Sequence, residues 1–345
     1  MPSLGVQTGS WPMTVRRNIV LLGYLGKQNF GDEVMAEAVA QILADAEVTF
    51  IHARTPMRDV LRAYWRADLL AVCGGNIVNH SHGAYLRVTA LAWLMRVPMA
   101  FLSIEVTDWP SRFLVRAVQK AIFRKASISV RTVRSAMVIA RLLPRKSVPC
   151  VVDLFYCHHA FLGTGAAQAV DRFSRGSGGT KARTLHVLPR SFKRVHEGYS
   201  ESQNLDRIAA SVSNSLETGH FDRVVLSPSA CVDEVAPYHA RLQQDFGAEI
   251  SIECLGIDAP ITFASNDSVI SNRLHIAKLC NVWDVPCTLI SYSLKTELPE
   301  IGKGAGQVFG LGGQKTAFET IGHDPALLSA RRDMSLRTFE AQLAP

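Results

Sequence analysis

The chain has 345 residues, of which 48% are hydrophobic and 19% are charged, and its formal net charge is +7. This balance is typical of a globular protein with a large core, and the length predicts two domains. The positive charge favours anionic ligands, such as phosphorylated metabolites, anionic lipid headgroups or nucleic acid. Nucleic acid is the weakest of these three, because aromatic residues are not interleaved with the basic ones.

The seven cysteines are odd in number, widely spaced and free of any C-x-x-C pattern. This favours reduced thiols in a cytosolic protein over a disulfide framework or a zinc site.

The first 18 residues lack the apolar core of a signal peptide. The most apolar stretch, 86–104, contains Arg87, Arg96 and Pro98, and therefore predicts a helix, a turn and a buried strand rather than a membrane span. We expect a cytoplasmic protein.

Strand-like and helix-like segments alternate through the first half of the chain. The predicted strands are 18–25, 48–52, 69–73, 99–104, 128–130 and 150–154, and the predicted helices are 33–45, 57–65, 111–124 and 132–143. Such alternation predicts a parallel sheet with helices on both faces. We assign residues 1–159 to this first domain.

Residues 160–183 are rich in Gly, Ser and Ala and lack apolar periodicity, which predicts a flexible linker. The alternation then restarts in a second domain, 184–326, with strands at 184–188, 224–227, 250–254, 267–270 and 288–291 and helices at 202–218, 236–246 and 274–281. The terminal segment 327–345 is a helix that is a candidate to pack back on the first domain. The predicted fold is α/β, with two Rossmann-like doubly wound domains and a ligand cleft beyond the strand ends.

Ser271-Asn272-Arg273-Leu274-His275 follows a predicted strand. If the backbone stays extended, Arg273 and His275 share one face. Tyr292 and Lys295 follow the next strand, so all four side chains would cluster at adjacent strand ends. Such a cluster could bind a small anion and protonate it. On spacing alone, a surface Arg beside a partly buried His is the more common explanation of such a pair.

Other polar residues follow predicted strands of both domains. Asp32 and Glu33 lie in a helical first turn, where they complement the helix dipole or accept hydrogen bonds from sugar hydroxyls. Arg190 either binds a carboxylate or phosphate through two parallel hydrogen bonds or is an ordinary surface residue. Asp153 faces the cleft, or caps a turn.

A glycine turn at 74–75 precedes Asn76, Asn79, His80 and His82, which contact hydroxyls or form a solvated loop. The two histidines have no obvious third ligand, so no metal site is predicted.

From Arg112 to Pro149 there are ten Lys/Arg and no Asp or Glu. Arg112, Arg116, Lys120 and Arg124 recur every fourth residue and give one basic helix face. This face is either solvated or, through residues 112–125, a peripheral contact with an anionic membrane.

Six short elements occur in an order that resembles the polysaccharide pyruvyl transferase family. They are Asn29-Phe30-Gly31-Asp32-Glu33, Gly74-Gly75-Asn76, V-R-x-x-x-S at 130–135, D-x-F at 153–155, the strand ending in Arg190, and S-x-R-x-H followed by S-Y-x-x-K at 271–295. The resemblance spans residues 18–155 and 184–300. Asn76 stands where the family commonly has glycine, and Thr132 where many members have Asp.

The resemblance implies a GT-B-like arrangement of the two domains and work in exopolysaccharide synthesis. It implies transfer of the enolpyruvyl unit of phosphoenolpyruvate onto two hydroxyls of one sugar, releasing phosphate. The acceptor would be a polysaccharide or a lipid-linked oligosaccharide at the inner face of the cytoplasmic membrane. Phosphoenolpyruvate is a co-substrate, and no cofactor is implied.

The resemblance also assigns roles to residues. The donor-binding set is Arg190, Arg273, Tyr292 and Lys295, the catalytic set is His275, Arg273 and Asp32, and the acceptor-binding set is Asn29, Gly31, Asp32, Glu33, Gly74, Gly75, Asn76 and Asp153. His275 would be the general acid/base, since the ordinary imidazole pKa lies near neutrality.

Two other function classes stay open. One is a glycosyltransferase or sugar-nucleotide epimerase on the same scaffold, with Glu253 or Asp258 as the acid that binds ribose. The other is a non-catalytic relative that keeps the fold alone.

Overall fold

The computed structural model describes residues 17–23, 29–52, 54–75, 83–106, 112–161, 169–176, 182–192, 200–231, 233–290, 307–309, 315–316 and 325–344. The first domain contains a parallel sheet of β1 (Asn18–Leu22), β2 (Glu47–Ile51), β3 (Leu69–Cys73), β4 (Met99–Ile104) and β5 (Ser127–Val130), in the order β2-β1-β3-β4-β5. Ile19 and Leu21 enter one apolar core and Val20 and Leu22 enter another. Both faces of β1 are therefore buried, which explains its continuous apolar sequence.

Within the described residues of this domain, five helices alternate with these strands. They are α1 (Phe30–Ile42), α2 (Met57–Trp65), α3 (Gly83–Leu94), α4 (Phe113–Lys125) and α5 (Val133–Leu142). Helices α2 to α5 share one apolar cluster and cover one face of the sheet, whereas α1 packs on the other face. Thr132 is the N-cap of α5, and its Oγ1 accepts a hydrogen bond from Ser135 N at 3.1 Å. The hydroxyl at this position therefore supplies the cap that starts α5.

The predicted strand 150–154 is wrong. Only Cys150 bridges to Val130, and Leu154–Cys157 forms a short 3₁₀ helix. The cause is Asp153, whose Oδ1 accepts a hydrogen bond from Phe155 N at 3.0 Å and so turns the chain out of the sheet.

The predicted linker 160–183 contains ordered structure. Strands β6 (Ala169–Val170) and β7 (Phe173–Arg175) form an antiparallel hairpin, and β7 also pairs with residues 261–263. Phe173 is fully buried, and Arg172 donates to Ser227 Oγ at 3.1 Å. Strands this short are below the length at which alternation of apolar residues can be recognised.

The second domain has its own parallel sheet. Its strands are β8 (Thr184–Leu188), β9 (Arg223–Leu226), β10 (Ser251–Cys254), β12 (Ser268–Ser271), β13 (Cys287–Ile290), β14 (Gln307–Phe309) and β15 (Lys315–Thr316); β11 (Ile261–Phe263) belongs to the small sheet with β6 and β7. The order is β10-β9-β8-β12-β13-β14-β15, with only the β14–β15 pair antiparallel. The helices are α6 (Glu201–Thr218), α7 (Ala236–Phe246) and α8 (Leu274–Trp283).

One apolar cluster is continuous between the two domains. It includes Val34 of α1, Phe155, and Trp283 of α8. The last helix, α9 (Pro325–Leu343), contacts β4 and β5 of the first domain, buries Phe339 there, and accepts a hydrogen bond from Val152 N on Ser335 Oγ at 2.9 Å. The chain end thus contributes to the core of the first domain.

Phe339 gives a direct measure of what α9 contributes to stability. Phe339→Ala should lower the free energy of unfolding by about 3–5 kcal/mol, because the side chain is fully buried and leaves a cavity. Met334→Ala on the same helix, at an exposed position, should change it by no more than about 0.5 kcal/mol. Chemical denaturation followed by circular dichroism measures both, and equal effects would contradict the packing of α9.

Candidate functional site

Two arginines lie at the point where the strand order of the second sheet reverses. Strands β8 and β12 are neighbours there, with β9 on one side and β13 on the other. Arg190 follows β8 and Arg273 follows β12. Ligands of open α/β sheets bind beyond the carboxyl ends of such strands. The two arginines predicted to bind the donor are therefore together at this switch point.

The backbone of Arg190 is fixed by three buried polar side chains. Asn272 Oδ1 accepts a hydrogen bond from Arg190 N at 2.6 Å, and Asn204 Nδ2 donates to Arg190 O at 2.9 Å. Tyr238 Oη donates to the same carbonyl at 3.2 Å, and Asn272 and Asn204 also bond each other at 2.8 Å. The sequence analysis did not predict these hydrogen bonds to Arg190. Asn204, a polar residue within the apolar face of α6, was a signal for them.

Arg273 forms an ion pair with the carboxylate of Asp233, a residue that sequence reasoning also missed. Asp233 accepts hydrogen bonds from Ser229 Oγ and Ser191 N as well, both at 3.3 Å. The Nε atom of Arg273 is buried and has no hydrogen-bond partner among the residues that the structure describes. A buried N–H group without an acceptor destabilises the folded protein unless a ligand or a water molecule accepts its hydrogen bond.

The prediction that Arg273 and His275 share a face is wrong. Helix α8 begins at Leu274, so the chain changes from extended to helical between the two residues. Arg273 contacts Asp233 of its own domain, whereas the His275 ring stacks on Phe155 at 5.4 Å between ring centres. A Cβ atom on Gly31 would lie 1.8 Å from His275 Nδ1, so the glycine is what admits the ring.

A buried ion-pair network lies beside His275 and joins the two domains. Asp153 Oδ2 accepts hydrogen bonds from Arg131 Nη1 at 2.6 Å and from Lys278 Nζ, on α8, at 2.8 Å. Arg131 also pairs with Glu105. Burial alone would raise the pKa of Asp153, but Lys278 and Arg131 together hold it well below its ordinary value. Two cations and two carboxylates make the network neutral.

His275 is neutral at pH 7 in this setting. Burial lowers the pKa of its imidazole to about 4, and Asp153 only partly opposes that shift. Its Nε2 lies 3.8 Å from Asp153 Oδ1, which is too long for a hydrogen bond. An imidazole with this pKa carries no extra proton to deliver at pH 7 and is also a weak base.

The first turn of α1 faces the second domain. Phe30 N donates to Ser229 O at 3.3 Å, and the Asn29 side-chain amide donates to Asp32. Gly74 and Gly75, with φ of 60° and 69°, follow β3, which neighbours β1 at the switch point of the first sheet. These positive φ values suit glycine. Residues Asn29, Gly31, Asp32 and Glu33 thus lie at the same domain boundary as Arg273.

Several predicted site residues lie outside the described part of the chain. They are Asn76, Asn79, His80, His82, Tyr292 and Lys295. Among the described residues, no group of three or more His, Cys, Asp or Glu could hold a metal ion. Within the same ranges, no helix has the length and apolarity needed to cross a membrane.

Solved structures with the same fold include sugar-nucleotide enzymes. The UDP-GlcNAc 2-epimerase of Neisseria meningitidis bound to UDP-GlcNAc is 9% identical, with 94% of this chain and 98% of that chain covered and a TM-score of 0.50. HepE of Anabaena, in complex with UDP and glucose, is 13% identical, with coverages of 95% and 100% and a TM-score of 0.54. The UDP-GlcNAc 2-epimerase of Methanocaldococcus jannaschii is 9% identical, with coverages of 95% and 92% and a TM-score of 0.51.

These similarities confirm the predicted fold, two Rossmann-like domains in a GT-B arrangement. At this level of identity they show the fold alone. No protein-family model matches the chain. A search of curated proteins likewise finds no match.

Gly31→Ala tests the contact between α1 and His275. The added methyl collides with the imidazole, so the free energy of unfolding should fall by about 1–3 kcal/mol. Combining it with His275→Gly should cost less than the sum of the two single changes, because the collision is removed. Gly83→Ala, where a Cβ meets nothing within 4 Å, is the helical control and should be neutral or stabilising. Strict additivity of the pair would contradict the contact.

The buried imidazole also predicts a pH dependence of stability. In the unfolded chain His275 takes a proton near pH 6.5, whereas in the folded protein it does so only near pH 4. The free energy of unfolding should therefore fall as the pH drops through this window, by up to about 3 kcal/mol. His275→Gln should remove this part of the slope, and His220→Gln, at an exposed position, should not. Urea denaturation across the window measures it, and an unchanged slope in His275→Gln would contradict the assignment.

Proposed function

We propose that this protein is a pyruvyl transferase that acts on a saccharide. The observation that carries the proposal is the pair Arg190 and Arg273, which follow the two strands at the switch point of the second sheet. The ordered motifs that resemble the polysaccharide pyruvyl transferase family include both arginines. The fold supports the proposal at the level of scaffold only.

The chemistry of phosphoenolpyruvate suits this arrangement. The molecule carries a carboxylate and a phosphate close together, and each is a good bidentate partner for a guanidinium. The backbone of Arg190 is fixed at the end of β8, the strand that neighbours the one preceding Arg273. Arg273 is oriented by Asp233 and retains an unpartnered Nε among the described residues. Two oriented cations can therefore meet the two anionic groups of one donor.

The acceptor sugar would bind at the first turn of α1. Asp32 and Glu33 there are suited to accept hydrogen bonds from sugar hydroxyls, and a carboxylate can also take the hydroxyl proton. In the reaction, one hydroxyl loses its proton to a carboxylate as its oxygen bonds to C2 of the donor, and that proton is passed to the methylene carbon. The oxygen of the second hydroxyl then displaces phosphate at C2, the proton of that hydroxyl leaves with the phosphate, and the ketal closes. Because the pKa of His275 lies near 4, its imidazole is a weak base and carries no extra proton at neutral pH, so in this proposal the carboxylates take the hydroxyl proton.

A sugar nucleotide is the second candidate donor. The structures of similar fold hold UDP-GlcNAc in one case and UDP with glucose in another, and a diphosphate would also suit two arginines. The residues predicted to bind ribose do not support it. Glu253 lies on the outer strand β10, where it pairs with Arg223 at 3.6 Å, and Asp258 lies in the turn that follows. Neither is at the switch point.

Calorimetric titration with phosphoenolpyruvate, UDP and UDP-GlcNAc separates the two donors. We expect phosphoenolpyruvate to bind, with an affinity at least about tenfold weaker in Arg190→Gln and in Arg273→Gln, since each removes a charge-assisted contact. Arg241→Gln, which removes an exposed arginine of the same domain, is the matched control and should bind normally.

An assay of transferase activity is the second part of the test. Incubation with phosphoenolpyruvate and a panel of lipid-linked and synthetic glycosides should release phosphate and add the mass of one pyruvate ketal. Binding of UDP-GlcNAc without binding of phosphoenolpyruvate would overturn the proposal in favour of the second candidate.

A further inference from the structure

The outer faces of α4 and α5, called here the α4–α5 surface, expose several large apolar side chains. Phe113 is 80% exposed, Leu114 75% and Val133 67%. Val118 and Met137 are exposed beside them. Single exposed apolar residues are ordinary, but a group on two helices of one layer marks an interaction surface.

The same helical layer carries most of the exposed apolar residues in the described part of the chain. Of eleven large apolar side chains exposed there, nine belong to α2–α5: Met57, Leu61, Trp65, Leu94, Phe113, Leu114, Val118, Val133 and Met137. The two others, Phe50 and Met334, lie outside the layer, on β2 and α9. The apolar exposure is therefore a property of one side of the first domain.

The charge of the α4–α5 surface has one sign. Residues 112–149 contain ten Lys/Arg and no Asp or Glu. Arg131 is buried in the ion-pair network, whereas Arg124 on α4 and Arg134 and Arg141 on α5 are exposed. Towards the carboxyl end of α4, a cavity of about 1280 Å³ is lined by Lys120, Arg124, Arg145, Lys146 and Arg337. The α4–α5 surface thus presents apolar side chains at the beginnings of the two helices and basic side chains along them and at the carboxyl end of α4.

We propose that the α4–α5 surface docks on a bilayer that contains anionic phospholipid. The apolar side chains would enter the boundary between headgroups and acyl chains, and the basic ones would meet lipid phosphates. A second copy of this chain fits less well, because two such surfaces would bring like charges together. Nucleic acid fits less well too, because the exposed Phe113 and Leu114 would face a polar backbone.

Docking in this way would orient the candidate site. Helices α4 and α5 follow β4 and β5, so both begin at the carboxyl edge of the first sheet. Phe113, Leu114 and Val133 lie at these beginnings, and the site is built on the same edge. The bilayer would therefore lie next to the domain boundary, whatever donor the site uses.

Co-sedimentation of the full chain with vesicles tests the proposal. Binding is expected to vesicles of phosphatidylcholine mixed with phosphatidylglycerol, to be weak with phosphatidylcholine alone, and to fall with added salt. Arg124→Glu with Arg134→Glu should weaken partitioning by about thirtyfold or more, at about 1 kcal/mol for each lost basic residue. Phe113→Ser with Leu114→Ser should weaken it at least about tenfold.

Matched controls separate the surface from general charge and hydrophobicity. Arg223→Glu with Arg241→Glu changes the net charge equally but in the second domain, and Phe50→Ser removes an exposed apolar side chain elsewhere; both should bind as the wild type does. Equal losses in these controls, or equal binding to both vesicle types, would overturn the proposal. So would a dimer in sedimentation equilibrium that Phe113→Ser with Leu114→Ser dissociates.

Discussion

The contact between Asp153 and Lys278 is the constraint on which the arrangement of the two domains depends. Both side chains are fully inaccessible to solvent, and they come from different domains. An unbalanced buried charge costs several kcal/mol, and without Lys278 the first domain would bury the carboxylates of Asp153 and Glu105 against the single cation of Arg131. The contact therefore fixes α8 against the end of the first sheet, and α8 in turn carries His275 to the first turn of α1.

The neutrality of this network determines where positive charge remains at the domain boundary. Arg131 and Lys278 are balanced by Glu105 and Asp153, so none of the four offers a free charge to a ligand. In the proposed site, Arg190 and Arg273, which follow β8 and β12, would instead meet the anionic groups of the donor. Arg131 follows a strand end, as Arg190 and Arg273 do, so the sequence alone does not distinguish this cation of the network from those of the proposed site.

Local features of the chain were predictable, and long-range pairings were not. The helix Met57–Trp65 and the strands Leu69–Cys73 and Met99–Ile104 agree with prediction residue for residue, because apolar periodicity and flanking turns define them. The partner of Arg273 is 40 positions away and that of Asp153 is 125 positions away, and no local pattern encodes such distances. The prediction that Arg273 and His275 share a face was wrong for a related reason, since the outcome depends on where α8 begins.

The pairing of Arg273 with Asp233 has a consequence for which anions the site can select. Because Asp233 already neutralises Arg273, a ligand with one negative charge gains little from this arginine beyond the hydrogen bond to Nε. In the proposed site, a ligand with two anionic groups would place one at Nε of Arg273 and direct the other towards Arg190, which follows the neighbouring strand β8. In the proposed site, the carboxylate of Asp233 would therefore favour doubly anionic ligands over singly charged ones, because it weakens the binding of the singly charged ones.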